Sequence, residues 1–255
     1  MPPSTTSLNG TGVKKLFEIN PDVVREGPRR EFAATSRTQL RDVLTVETAQ
    51  EIRRILLEEL RWGMAVGQGT AKPISVRNAA LATPDGATEV NRAAMGAHAA
   101  SQRGDYGFRF AHYPIVDALN ERWEPGGVHE MLLEHLNAEP FLALARDVTG
   151  ISELCRADAQ ATLFAANHYL GRHIDSHVAE GWRVAYVLNL AIEDWHPDWG
   201  GYLLFLDENG DIVKGYRPRF NALNLFAVPQ SHSVSYVPPF APKGRLALTG
   251  WLSDR

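Results

Sequence analysis

Cysteine is nearly missing from this chain. Cys155 is the only one in 255 residues, so no intrachain disulfide can form. That fits a reducing, cytoplasmic compartment, and Cys155 itself reads as a packed apolar residue. Long hydrophobic runs are also missing. None reaches the roughly eighteen residues that a membrane span requires. Met1 to Gly12 is rich in Ser, Thr, Gly and Pro and has no apolar centre; it reads as a disordered tail, not a signal peptide. There is no excess of positive charge: 26 Lys and Arg stand against 30 Asp and Glu, a net charge of -4. A strong electrostatic grip on nucleic acid or anionic membrane is therefore not expected. No Gly-rich phosphate loop, repeat, low-complexity block or Pro/Ser/Gly linker divides the sequence. Residues 13–255 read as a single domain, with a helical and lid-forming part over 13–158 and a strand-rich part over 159–255.

What is present falls into two halves. Lys14 to Ile19 and Gln39 to Leu44 alternate weakly, as short strands do. Val46, Ala49, Ile52, Ile55, Leu56 and Leu60 recur at helical spacing behind Thr45, a plausible N-cap, and Gly63 is expected to end that helix. Residues 67–86 are rich in Gly, Pro, Thr and Asp and read as loop or irregular strand. Glu89 to Ser101 presents Val90, Ala93, Ala94, Ala97 and Ala100 on one helical face. Arg103 to Pro114 places aromatics at alternate positions, as a strand against the core or a wall facing a substrate. Val128 to Leu136 and Phe141 to Val148 read as helices, the second stopped by Gly150. These helices are expected to buttress a sheet.

From Ala159 the pattern changes to short strands with turns between them. About seven are expected: 160–168, 172–175, 183–191, 201–206, 211–216, 222–227 with 232–237, and 245–252. Asp207-Glu208-Asn209-Gly210 is a strong hairpin signal. The fold class implied is α+β, a double-stranded β-helix or jelly roll of two facing antiparallel sheets behind N-terminal helices.

One constellation in the second half carries chemistry. In an extended chain residues i and i+2 point the same way, so His173 and Asp175 can reach one ion from one strand end. His232 lies in the alternating run Ser231 to Val237. Two imidazoles and a carboxylate on one face of a metal leave the opposite face open, which suits a non-haem iron(II). Arg245, Ala247, Thr249 and Trp251 share one face of a later strand. A buried Arg there needs a carboxylate partner, which its planar fork matches bidentately. Taken alone, His-x-Asp is common by chance; the later His, Arg and Trp make the pattern specific.

From Phe164 to Trp251 the chain resembles the iron(II)/2-oxoglutarate-dependent dioxygenases of the prolyl-hydroxylase branch. The pattern is similar to that of the ribosomal-protein prolyl dihydroxylases and their bacterial homologues. The resemblance runs through His173-x-Asp175, Arg183-Val184-Ala185-Tyr186-Val187-Leu188-Asn189-Leu190, Asp198 to Phe205, Pro218 to Leu223, His232-Ser233-Val234 and Arg245 to Trp251. It implies iron(II) on His173, Asp175 and His232, with O2 and 2-oxoglutarate as co-substrates and ascorbate as a candidate accessory reductant. Arg245 would pair with the far carboxylate of 2-oxoglutarate. Asn189 stands where those relatives have a Tyr and is a candidate second contact. Phe164 replaces another of their tyrosines. Asp175 marks a hydroxylase, since relatives that halogenate have a small residue there. Arg183 and Trp251, and on the lid side Tyr106, Phe108 and His112, are candidate substrate contacts; an ion pair and core packing are the plainer roles for Arg183 and Trp251. His168 and His196 lie near the motif, and His177 could compete as a ligand.

The implied reaction couples decarboxylation of 2-oxoglutarate to succinate and CO2 with hydroxylation of a C–H bond. A prolyl residue of a protein is the expected substrate. A free amino acid or other small metabolite is the alternative, and a jelly-roll binding module without turnover is a third.

Overall fold

The computed structural model describes residues 16–175, 181–192 and 194–255. In chain order it forms α1 (Glu26–Thr35), β1 (Arg37–Arg41), α2 (Val46–Glu58), β2 (Gly63–Gln68), β3 (Ile74–Val76), α3 (Asn78–Leu81) and α4 (Pro84–Gln102). Next come β4 (Gly107–Tyr113), α5 (Ile115–Asn120), α6 (Val128–Leu136), α7 (Glu139–Thr149), β5 (Arg156–Ala157), β6 (Gln160–Phe164) and β7 (Tyr169–Ile174). β8 (Trp182–Leu190), a 3-10 turn at Pro197–Trp199, β9 (Leu203–Leu206), β10 (Ile212–Tyr216), β11 (Phe220–Ala227), β12 (Ser231–Val234) and β13 (Arg245–Ser253) complete the chain.

The strands pair antiparallel in the order β1-β11-β8-β13-β6-β4-β7-β12-β9-β10. The sheet curls until β7, β12 and β9 face β8 and β13, giving the nearly closed jelly roll that the strand spacing predicts. Alternation divides its two surfaces. Along β8 and β13, Tyr186, Leu188, Leu246 and Leu248 pack outward against Ile52 and Leu56 of α2 and Phe141 and Leu144 of α7, in the largest apolar cluster. Ala185, Val187 and Ala247 point the other way, against Leu203, Phe205 and Phe226. The helices are buttresses, as their apolar stripes imply.

The alternation of β4 resolves a choice that the sequence left open. Tyr113 enters the helix-side cluster, while Phe108 and Phe110 turn inward and line the central cavity. One strand therefore serves both the core and the cavity wall.

The N-terminal half departs from expectation at several points. Gly63 does not end α2; the helix stops at Glu58, and Gly63 opens β2. There a Cβ would lie 2.4 Å from the Val76 carbonyl oxygen on the paired strand β3. Residues 67–86 contain the short strand β3 and loop, as expected, but also the helix α3, and α4 starts at Pro84, five residues before Glu89. The cause is local: Pro84 is at the helix start, and the Thr83 hydroxyl accepts from Gly86 N at 3.1 Å, a capped N-terminus. The expected strand over 14–19 is reduced to a single bridge between Ile19 and Leu44; Lys14, Lys15 and the Met1–Gly12 tail lie outside the described residues. Cys155 is exposed rather than packed, because it precedes the two-residue strand β5 at the sheet margin. Among the described residues no helix is long and apolar enough to cross a membrane.

Candidate metal centre and diacid pocket

The jelly roll places its chemistry at one end of β7. His173 is the penultimate residue of that strand and Asp175 follows its end. His232 sits on β12 directly opposite His173 in the pairing register, so cross-strand geometry brings the two rings to 4.1 Å between centroids. Nε2 of His173 is 3.6 Å from Asp175 Oδ1, and Nε2 of His232 is 3.7 Å from Asp175 Oδ2. One donor atom from each residue lies within 4.8 Å of the others.

Both imidazoles are oriented by the backbone. His173 Nδ1 meets the Gly171 carbonyl at 3.0 Å and His232 Nδ1 meets the Gln230 carbonyl at 2.9 Å. A carbonyl can only accept, so Nδ1 carries the proton on each ring and Nε2 keeps its lone pair toward Asp175. Burial, and then the neighbouring His173, lower the pKa of His232 to about 4; the ring is neutral at physiological pH, as a ligand must be. The Trp251 indole N–H donates to Asp175 Oδ2 at 3.0 Å. Trp251 in turn stacks on Trp182, with centroids 4.0 Å apart and planes 10° apart. Oxygen and nitrogen donors of this kind, two neutral imidazoles and one carboxylate, fit a ferrous ion.

The cavity above these groups has a volume of about 230 Å³. Arg245 opens β13, pairs across the sheet with Phe164 and is 2 % exposed. Its guanidinium carbon lies 5.2 Å from the Phe164 ring centroid. Nε is buried without a hydrogen-bond partner, and no carboxylate of the described residues pairs with the side chain. Burial lowers its pKa to about 10, so the group is still a cation at neutral pH. An uncompensated guanidinium in an apolar wall is costly, and a dicarboxylate entering the cavity would supply the missing charge. The diglycine at Gly200 and Gly201 lets the chain pass close by: a Cβ on Gly201 would sit 3.5 Å from the Arg245 side chain, and one on Gly200 would sit 2.0 Å from the Tyr236 carbonyl oxygen.

The other candidates divide. Tyr106 and Phe108 line the cavity, and the Tyr106 ring is 5.7 Å from that of His173. Arg183 does not line it: its Nε and Nη2 both reach Asp254 Oδ2 at 2.6 Å. Asn189 pairs across the sheet with Ala247, but its amide donates to the carbonyls of Val187 and Ala222, both at 3.2 Å, and it is not part of the cavity wall. His112 bonds Ser75 Oγ at 2.8 Å, His168 ties down the Leu163–Ala165 turn, and His196 caps the 3-10 turn. His177 lies outside the described residues. Gln160 and Thr162, which line the cavity from β6, escaped the sequence reading. Their two-residue spacing with Phe164, which puts all three on one face of the strand, is the signal that could have found them.

Asp158 was also missed. Its carboxylate accepts the Trp251 backbone N–H at 2.6 Å, and burial raises its pKa to about 6. A carboxyl whose folded pKa lies above its unfolded value binds protons more readily when folded, so stability falls as pH rises from about 4 to 6 and is level above. Asp158→Asn, which keeps the acceptor oxygen, is expected to flatten that fall and raise the midpoint of urea unfolding at pH 7. An unchanged pH profile would show that the carboxyl is not held in its neutral form.

Comparison with known proteins agrees with this geometry. Residues 159–253 match the family described as the 2OG-Fe(II) oxygenase superfamily. No protein of curated function matches the sequence. Among solved structures, a prolyl-4-hydroxylase from Pseudomonas putida aligns with TM-score 0.53 and 18% identity over 91% of this chain and 100% of that one. A Trichoplax adhaerens prolyl hydroxylase, solved with a hypoxia inducible factor peptide fragment, aligns with TM-score 0.53 and 16% identity over 89% of this chain and 87% of that one. The non-heme alpha ketoglutarate dependent epimerase SnoN, from nogalamycin biosynthesis, aligns with TM-score 0.52 and 14% identity over 90% and 82%. At these identities the likeness is one of fold. The matched segment begins just before β6 and ends with β13, enclosing His173, Asp175, His232, Arg245 and Trp251, and over that segment the chain is similar to the 2OG-Fe(II) oxygenases.

Proposed function

We propose that the protein hydroxylates a prolyl residue of a protein substrate, with iron held by His173, Asp175 and His232 and 2-oxoglutarate anchored by Arg245. One observation carries this reading: three ligand atoms within 4.8 Å share a cavity with a buried cation that has no carboxylate partner among the described residues. Held there, iron would supply the O2 chemistry that couples loss of CO2 from 2-oxoglutarate, leaving succinate, to insertion of one oxygen atom into a C–H bond.

The chain's own residues position and enclose. The backbone-locked imidazoles present Nε2, and Trp251 steadies Asp175 through Oδ2. Arg245 faces the far carboxylate of the diacid with its two-pronged fork. Phe110, Phe164, Leu203 and Val234 line the space between and exclude water. Tyr106, Phe108 and Trp251 form an aromatic wall suited to the apolar face of a prolyl ring. Arg183, held by Asp254, acts as part of an ion pair rather than as a substrate contact.

Incubation with iron(II), 2-oxoglutarate, ascorbate and a panel of proline-containing peptides should give succinate and a mass gain of one oxygen on a prolyl residue. A gain confined to free amino acids would transfer the assignment to small-molecule hydroxylation. No succinate from iron-loaded protein, even without substrate, would favour a binding module.

Trp251→Phe keeps a ring to stack on Trp182 and deletes the donor to Asp175. Loss of such an outer-shell bond typically costs about 10–100-fold in metal affinity, and that weakening is expected in a cobalt(II) or iron(II) titration. Affinity equal to wild type would reduce Trp251 to a packing residue.

A further inference from the structure

A second polar pocket, of about 500 Å³, opens between β1, the β9–β10 hairpin and the segment leading into β11. Arg41, Arg217 and Arg219 line it, with Gln39 and Tyr202 beside them. Its other charges cancel: Lys214 Nζ is 2.7 Å from Glu31 Oε1, which also accepts from the Tyr216 hydroxyl at 3.2 Å. The three guanidiniums have no hydrogen-bonded or ion-paired partner among the described residues, and Arg217 Nε is buried without one. Burial, and then the charges of Arg217 and Arg41, hold the pKa of Arg219 below its ordinary value, so both neighbours lie close enough to repel it.

The walls are fixed. Gln39 Nε2 donates to Asn224 Oδ1 at 2.8 Å and toward the Arg217 carbonyl at 3.4 Å. Arg217 and Arg219 flank the buried Pro218. Three cations on one pocket with no counter-charge among the described residues lower the stability of the fold. They form a ready cradle for a group carrying several oxygens and more than one negative charge.

We propose that this pocket binds a multiply charged oxyanion on a small molecule, a phosphate or a set of neighbouring carboxylates. The site is separate from the metal centre and does not depend on the substrate proposed above. Tyr202 precedes β9, whose first residue, Leu203, lines the central cavity, so occupancy can be felt there through one strand.

The test uses full-length protein stripped of iron, so that a probe cannot act by chelation. Inorganic pyrophosphate should raise the melting temperature saturably, beyond the effect of potassium chloride at equal ionic strength, and give a binding isotherm by calorimetry. Citrate provides the carboxylate arm, and the tighter of the two probes names the source. Arg217→Gln combined with Arg219→Gln should weaken binding at least tenfold. It should leave the unliganded melting temperature no lower than wild type, because it relieves repulsion and breaks no pair. Arg41→Gln, on a different strand, should weaken binding independently. Arg245→Met should leave the pyrophosphate isotherm unchanged; its loss in that variant would place the anion in the central cavity and overturn the proposal. A response that potassium chloride reproduces, or wild-type affinity in the double variant, would overturn it as well.

Discussion

Asp175→Ala is expected to abolish measurable succinate formation and to weaken iron binding by more than the roughly 10–100-fold that loss of an outer-shell partner costs. Asp175 is the only anion of the three donors, and its two oxygens are aimed one at each imidazole, 3.6 and 3.7 Å away. Without it two neutral rings on adjacent strands are left to hold a divalent cation. The fold should tolerate the change. Asp175 follows the end of β7, and its one hydrogen bond among the described residues is from the Trp251 indole, whose loss costs about 1–3 kcal/mol. The variant should therefore keep its circular dichroism spectrum and a cooperative melt while failing to retain iron on gel filtration. Asp175→Asn separates charge from shape: it keeps an acceptor for Trp251 but loses the negative charge, and it should bind iron nearly as poorly. Turnover by Asp175→Ala at the wild-type rate would show that iron sits elsewhere.

How legible this site was in the sequence depends on which physical rule sets each position. His173 and Asp175 were legible because two-residue periodicity in a strand puts them on one side. Arg245, Thr249 and Trp251 were legible for the same reason along β13. His232 could be chosen because its run alternates, although its partner strand could not be read. What places it is the register of β12 against β7, which depends on tertiary pairing. The indole bond to Asp175 and the Trp251 N–H bond to Asp158 are likewise products of packing, with partners 76 and 93 residues apart. Arg183 shows the limit of a resemblance: position suggests a substrate contact, but a carboxylate 71 residues later takes two of its three nitrogens. In the N-terminal half the misreadings share a cause. Gly63 and Gly67 look like breakers, yet β2 is a strand because β3 and β4 flank it on both sides. The start of α4 could have been read from Thr83-Pro84, a local signal.

Arg245→Met is expected to act on 2-oxoglutarate and on the free protein in opposite directions. Removing one member of a buried charge pair costs about 2–5 kcal/mol. At 1.4 kcal/mol for each factor of ten, the KM for 2-oxoglutarate should rise about 30- to 4000-fold, with a smaller change in kcat at saturation. Arg245→Lys keeps the charge but not the planar fork and should fall between. In the absence of the diacid the order reverses. The wild-type guanidinium is fully buried and lacks an anionic partner among the described residues, and replacing it with an apolar side chain of similar length removes a desolvation cost on the order of 1–3 kcal/mol. The Met variant should therefore melt higher than wild type when both are free of ligand. Added 2-oxoglutarate with manganese(II) should raise the wild-type melting temperature by mass action and leave the variant nearly unmoved. A residue kept only for packing would produce neither the inversion nor the loss of response. Equal stabilisation of both proteins by the diacid would mean that another cation holds it.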